Sequence, residues 1–184
     1  MPRYREHLLR LDAKDRRMRF GSSLDNAGIE AHVQHLRERA DRILALLDEF
    51  GRVVAAVHIA LLEAAAAELG VTVDRRWRGR GVGRAVFEQA LSWLRCRGIR
   101  RVFLVFLSEN RAMRTLARAF GMSIQNDAGE MTAEMTLPLP TPFSVLWELI
   151  VEYAGLWPTS LRLAEGDRVF VLQPGIQPSV QPAV

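Results

Sequence analysis

Between residues 69 and 94 the sequence changes character twice in a short distance. L-G-V-T-V (69–73) is β-branched and apolar, as a strand requires. From Val82 onward, Val82, Val86, Ala90 and Leu94 recur at every fourth position, the spacing of one helix face. The stretch between them, D-R-R-W-R-G-R-G-V-G, carries Gly79, Gly81 and Gly83 among Arg78, Arg80 and Arg84. A helix N-terminus has unpaired N–H groups and a partial positive charge. Glycine lets an anion come close to that backbone, and arginine adds fixed charge. Strand, bare turn and helix together predict an α/β fold with a cradle for a pyrophosphate-bearing ligand at the turn.

Two familiar phosphate loops do not fit. A P-loop requires G-x-x-x-x-G-K-[ST], and neither lysine nor a hydroxyl residue follows Gly83. A dinucleotide fingerprint requires G-x-G-x-x-G. Its last glycine would fall on Arg84 counting from Gly79, or on Val86 counting from Gly81.

Around this centre the pattern predicts a strand over 4–11, a helix over 12–20 with Asp12 as its cap, and a helix over 26–36. Segments 42–49 and 52–62 read as a hairpin. The alanine run from Ala64 to Ala67 favours helix by propensity, but it is short and flanked by strand-like sequence, so it reads as a connection between strands. Strand 67–74, helix 81–97, a strand over 101–107, helix 110–120 and a hairpin of 122–126 with 131–137 complete the order. R-V-F-L-V-F-L (101–107) is nearly all apolar, the signature of a central strand covered on both faces. The fold class is a mixed, mostly antiparallel sheet flanked by helices, with a C-terminal helical extension. Residues 1–140 read as one domain, and 141–184 as an appended helix and loose tail. Phe143, Leu146, Trp147, Ile150 and Tyr153 are spaced for a helix that closes over the core, covers the acceptor side or joins a homodimer partner.

The chain has 184 residues, 49% hydrophobic and 25% charged, as in soluble globular proteins. No apolar run reaches the roughly 18 residues of a membrane helix, and residues 1–7 contain no apolar signal core. The single cysteine, Cys96, cannot form an internal disulfide and is expected to be buried, so the expected compartment is the cytoplasm. The net charge of +4 comes almost wholly from arginine, Lys14 being the only lysine, and suits an anionic partner.

The segment R-x-x-G-x-G, from Arg78 to Gly83, resembles the acetyl-CoA motif of the GNAT superfamily of N-acetyltransferases. The second half of that signature, N-x-x-A-x-x-L-Y-x-x-x-G-F, is matched from Asn110 through Ala112, Leu116 and Gly121 to Met122. The strand order is similar too, and the resemblance covers about residues 4–137. It implies a strand at 67–74 that splays from 101–107. Pantetheine would pair with the backbone of Val71 and Val73. The pyrophosphate would sit on the amides of Gly79, Arg80, Gly81, Val82, Gly83 and Arg84, with Arg78 beside them. Asn110 would contact the pantetheine arm, although helix capping alone also explains an asparagine there. The implied reaction is direct transfer of acetyl from acetyl-CoA to a primary amine, on a small molecule or a protein lysine, in a ternary complex and without metal.

Such a transfer requires an oxyanion donor, for which the backbone N–H of Val73 is the candidate, and a base for the ammonium group. Glu68 is the candidate base. A-E-L-G-V-T-V-D-R-R-W-R-G-R-G resembles the corresponding segment of bacterial protein-lysine acetyltransferases, where a glutamate at this place is the proposed base. An exposed carboxylate paired with arginine is the plain alternative. Strand alternation puts Glu68, Gly70 and Thr72 on one face, with Leu69, Val71 and Val73 on the other. Two positions depart from the family: the tyrosine that protonates the leaving thiolate falls at Ala117, and an acidic residue of the next strand falls near Val105. The alternative function is therefore an acyl-CoA-binding regulatory module with little turnover. His32 and His35 lack a third metal ligand and read as surface residues. His58 is a remote second base, and Trp77 reads as packing. The basic face formed by Arg75, Arg76, Arg95, Arg97, Arg100 and Arg101 lacks the aromatic pattern of a nucleic-acid surface.

Overall fold

Side-chain alternation along two hairpins builds the centre of the sheet. A computed structural model describes residues 2–39, 41–141, 146 and 170–172. β1 (Arg42–Leu47) and β2 (Val53–Leu62) pair antiparallel across a turn in which Asp48 Oδ1 accepts from the Phe50 and Arg52 amides. β2 then pairs with β3 (Ala66–Val73). The connection is a three-residue turn, Glu63 to Ala65, with Ala64 and Ala65 in the left-handed region at φ 56° and 54°, and Ala66 and Ala67 already belong to β3.

β3 leads through α4 (Val82–Cys96) to β4 (Arg101–Leu107), which lies parallel to it. α5 (Arg111–Ala119) and the hairpin of β5 (Ser123–Asp127) with β6 (Glu130–Thr136) follow, β6 running antiparallel to β4. A short β7 (Phe170–Leu172) pairs with β1, so the order is β5-β6-β4-β3-β2-β1-β7. α4 covers one face, burying Val86, Phe87, Ala90 and Leu94 against Leu44, Leu46, Val57, Ile59 and Leu69. α1 (Pro2–Leu9) and α3 (Asn26–Glu38) cover the other, with Leu8, Ile29, Val33 and Leu36 on Ile43, Ala45 and Val53. α2 (Ala13–Phe20) is capped by Asp12, whose side chain accepts from the Asp15 amide, and buries no residue. None of the described helices is long and apolar enough to cross a membrane.

Three sequence expectations require correction. Residues 4–9 are helix rather than strand, and 10–11 turn away from its end. Their buried residues, Tyr4, His7, Leu8 and Leu11, fall at i, i+3, i+4 and i+7, and Pro2 occupies the first helical position, where its missing N–H costs nothing. β4 is covered on one face only. Val102, Leu104 and Phe106 are buried, while on the other face Phe103 and Leu107 are only half-buried and Val105 is 40% exposed, because α1 and α3 pack over β1 and β2. Cys96 is half-buried rather than enclosed. The helix expected from 143 to 153 falls outside the described residues except at Leu146, which is helical.

His7 ties α1 to the sheet. Its Nδ1–H donates to the Val53 carbonyl at 3.0 Å, and Nε2 accepts from the Thr72 hydroxyl at 2.9 Å. Burial, reinforced by the charge of Arg10, lowers its pKa to about 4. The unfolded chain, with an ordinary histidine, therefore binds an extra proton between pH 6.5 and 4. Stability contributed by the neutral ring is full above pH 6.5 and is lost as pH falls towards 4, by roughly 3 kcal/mol. Urea denaturation should show the stability deficit of His7→Gln relative to wild type shrinking from pH 7.5 to pH 4.5. A deficit independent of pH would exclude the buried neutral ring.

Candidate active-site cleft

β3 and β4 are bonded only at their beginnings, Ala66 with Arg101, Ala67 with Val102 and Glu68 with Phe103. Beyond Glu68, β3 stays with β2 as far as Val73, while β4 follows β6 to Leu107. The two strands therefore diverge, and a wedge opens between them. The Asp74 amide donates to the Val54 carbonyl at 2.8 Å. Antiparallel alternation then turns Thr72 and Gly70 towards β2, and the N–H and C=O groups of Val71 and Val73 into the wedge. The Val73 carbonyl accepts from Arg78 Nε at 3.1 Å.

The chain leaves β3 through a single 3-10 turn, Arg75–Trp77, capped by Asp74. Gly79 and Gly81 follow at φ 73° and 78°, and neither has an atom within 4 Å of where a Cβ would stand. Backbone handedness, not crowding, demands glycine at both positions. Gly81 caps α4 without a side-chain hydrogen bond, so the first amides of α4 are left to solvent or ligand. A Cβ on Gly83 would stand 3.2 Å from Val73 Cγ2, which records how closely α4 approaches β3. Trp77 packs against the main core, with the Arg80 guanidinium 5.7 Å from its ring. Arg84 lies over Phe120 at 5.4 Å.

The resulting cleft encloses about 770 Å³. Val71 and Val73 of β3, Arg78, Gly79, Gly81, Val82, Gly83 and Arg84 of the turn, and Asn110 of α5 all line it. Arg80 stands outside its walls on Trp77. Asn110 is the cap of α5, its Oδ1 accepting from the Met113 amide at 3.1 Å, and its Nδ2 also donates to the Met18 carbonyl at 3.2 Å. Glu68 is exposed at the last paired position, at the apex of the wedge rather than in the cleft wall.

α2 crosses the opening, a role that the sequence did not announce. Asp15 pairs with Arg78 at 2.7 Å, and Arg17 with Glu109 at 3.0 Å. Lys14, Asp15, Met18 and Arg19 line the cleft from above. Behind them, Arg19 Nη2 donates to His58 Nδ1 at 3.2 Å, and His58 Nε2–H donates to Asp41 Oδ2 at 2.8 Å. Burial is the main cause lowering the pKa of His58. His32, expected on the surface, is half-buried beside Phe20 and His58, and burial followed by the charge of Arg19 lowers its pKa to about 4. The signal for this cluster was Gly70, a glycine inside a strand, which marks the close approach of another group.

No group of three potential metal ligands occurs among the described residues. Ala117 is fully buried and Val105 carries no ionisable group, so neither position supplies a proton.

Truncating the cap tests how α5 is held. Asn110→Ala should lower the unfolding free energy by about 1 kcal/mol. Asn110→Asp, which keeps the cap acceptor but not the donor to Met18, should lose less. Equal losses by urea denaturation would assign the effect to the Met18 bond instead.

The geometry agrees with what the chain resembles. The Acetyltransferase (GNAT) family profile matches residues 6–122. Among solved structures, the GNAT domain of S. lividans PAT superposes with a TM-score of 0.61 at 22% identity, covering 74% of this chain and 84% of that one. A GNAT-family acetyltransferase from Staphylococcus aureus gives 0.60 at 11% identity, over 73% and 94%. A phosphinothricin acetyltransferase from Sinorhizobium meliloti, solved in complex with AcCoA, gives 0.55 at 18% identity, over 77% and 85%. No curated protein matches the sequence. At these identities the structures speak for the fold; the profile, which spans the splayed strand, the glycine turn and both following helices, shows that the chain belongs to the acetyltransferase (GNAT) family.

Proposed function

We propose that this protein transfers an acetyl group from acetyl-CoA to a primary amine by direct attack within a ternary complex. The observation that carries the reading is a single cleft in which the β3 edge, unpaired with β4 beyond Glu68, runs into the N-terminus of α4, which has no side-chain cap. A pantetheine amide chain pairs with a strand edge such as Val71 and Val73. The pyrophosphate then lies at Gly79 to Arg84, where amides and arginine favour an anion.

The amine nitrogen attacks the thioester carbon, the carbonyl oxygen gathers negative charge, and the carbon–sulfur bond breaks. The Val73 N–H, aimed into the wedge, stabilises the oxyanion. The attacking nitrogen gives up a proton, to Glu68 directly or through water. The thiolate leaves without an acid, since Ala117 has none to offer; a thiol pKa of about 8.5 makes that departure acceptable. Ala117 also favours a second reading, an acyl-CoA-binding module with little turnover.

Acetyl-CoA should raise the melting temperature and shift the amide signals of residues 79–84. CoA release over a panel of primary amines should reveal an acceptor. Glu68→Gln should then lower kcat by about 10²- to 10⁴-fold while leaving acetyl-CoA affinity unchanged. Tight binding without transfer to any amine would favour the regulatory module, and no binding would end both readings.

A further inference from the structure

Arg19 projects from the last turn of α2 and lines the cleft beside Val71 and Thr72. Its guanidinium fills the space over Gly70, where a Cβ would collide with it. It hydrogen-bonds His58, lies over the Phe20 ring at 5.0 Å and acts on the buried Tyr4 hydroxyl through both its charge and a hydrogen bond. No carboxylate forms an ion pair with it among the described residues. Asp41, the acid behind His58, is already shared between His58 and Arg39, at 2.8 and 3.8 Å. The two acids lining the cleft are taken as well, Asp15 by Arg78 and Glu109 by Arg17. Burial raises the pKa of the Tyr4 hydroxyl, and the charge and hydrogen bonding of Arg19 work against that larger effect. The cluster thus holds a part-buried guanidinium whose partners are all neutral, a costly arrangement that an anion would complete.

Its place says which anion. Gly70 lies two residues past Glu68 on the same face of β3, at the apex end of the wedge, whereas the pyrophosphate cradle begins beyond Val73. We propose that Arg19 binds a carboxylate of the acceptor, and that the acceptor is a small amino-carboxylate of the amino-acid type. This inference rests on the acetyl-transfer reading and names its substrate class. A guanidinium meets a carboxylate through two parallel hydrogen bonds, fixing the amine in orientation as well as place. The α2 roof, fastened on both sides by Asp15 and Arg17, suits a free amino acid better than a lysine on a folded protein.

The test uses product binding, which requires no turnover. N-acetyl amino acids spanning apolar, polar and charged side chains, and their matched carboxamides, are titrated calorimetrically into the full chain with and without CoA. At least one acid should bind roughly tenfold or more tighter than its amide, because the amide leaves the arginine unpaired. Arg19→Met should erase that preference and Arg19→Lys should keep part of it. Gly70→Ala, which retains the charge but displaces the guanidinium, should weaken acid binding too. All three should bind CoA as wild type does. The proposal is overturned if amides bind as well as acids, if no acid binds, or if Arg19→Met weakens both alike. A preference for succinyl-CoA over acetyl-CoA that Arg19→Met abolishes would assign the arginine to the acyl group and overturn it likewise. Failure of CoA to bind, with acid binding intact, would instead defeat the acetyl-transfer reading alone.

Discussion

Past Glu68 the backbone of β3 keeps one neighbour and loses the other, and the rest of the molecule is arranged around that loss. Buried N–H and C=O groups must find partners; on the side away from β2 the Val73 carbonyl accepts from Arg78 Nε, and the two N–H groups and the Val71 carbonyl depend on water or a ligand. A cleft is therefore a condition of the strand's own solvation. What prevents the two strands from closing like an ordinary parallel pair is the pull on each side. β4 is held along its length by β6, from Arg101 with Thr136 to Leu107 with Glu130. β3 is held by β2 up to Ala55 with Val73. The start of α4, set against Val73 at Gly83, and the capped start of α5 at Asn110 then occupy the mouth.

The two walls of the cleft are held by different forces. α4 is fixed by apolar burial from Val82 to Leu94, each large side chain contributing about 1.5–3 kcal/mol. α2 buries no residue fully: Phe20 packs at the edge of the second core, Arg16 donates to the Leu9, Leu11 and Leu24 carbonyls, and ion pairs such as Arg17–Glu109, about half exposed, add about 0–1 kcal/mol each. Local opening follows the weaker attachment. Of the two walls, the one built by α4 is therefore the more firmly held.

Much of this was legible in the sequence, for identifiable reasons. The glycine turn announces itself because left-handed backbone at Gly79 and Gly81 excludes most other residues, and α4 because its apolar face repeats over several turns. The hairpins followed from alternation and turn residues. What failed was short or tertiary. Residues 4–11 span too few turns for strand and helix periods to separate easily, and the two-fold reading overlooked that Tyr4, His7, Leu8 and Leu11 share one helical stripe. The one-sided cover of β4 depends on where the second helical layer ends, which no local pattern encodes. Along the cleft wall, the turn and Asn110 stand out in the sequence because their backbone roles restrict residue type. Arg19 and Asp41 were missed because an arginine or aspartate in a charged segment looks the same whether it faces water or a cleft.

β3 divides its work between its two faces by alternation. Leu69, Val71 and Val73 face the α4 side, and the backbones of Val71 and Val73 open to the wedge. Gly70 faces Arg19 of α2 and Thr72 faces His7 of α1, while Glu68 is exposed on the same face. A slip of one residue would exchange the two sets, putting a carboxylate into the core and a valine where the guanidinium of Arg19 lies. Apolar alternation resists the slip, but the polar contacts specify the register more sharply. The Thr72 hydroxyl meets His7, itself bonded to Val53, and only a residue without a Cβ admits Arg19 opposite His58. The contacts that fix the strand in register are thus made on the face where an acceptor would approach, so the alignment of that face and the aim of the free amides across the strand are set by the same few side chains.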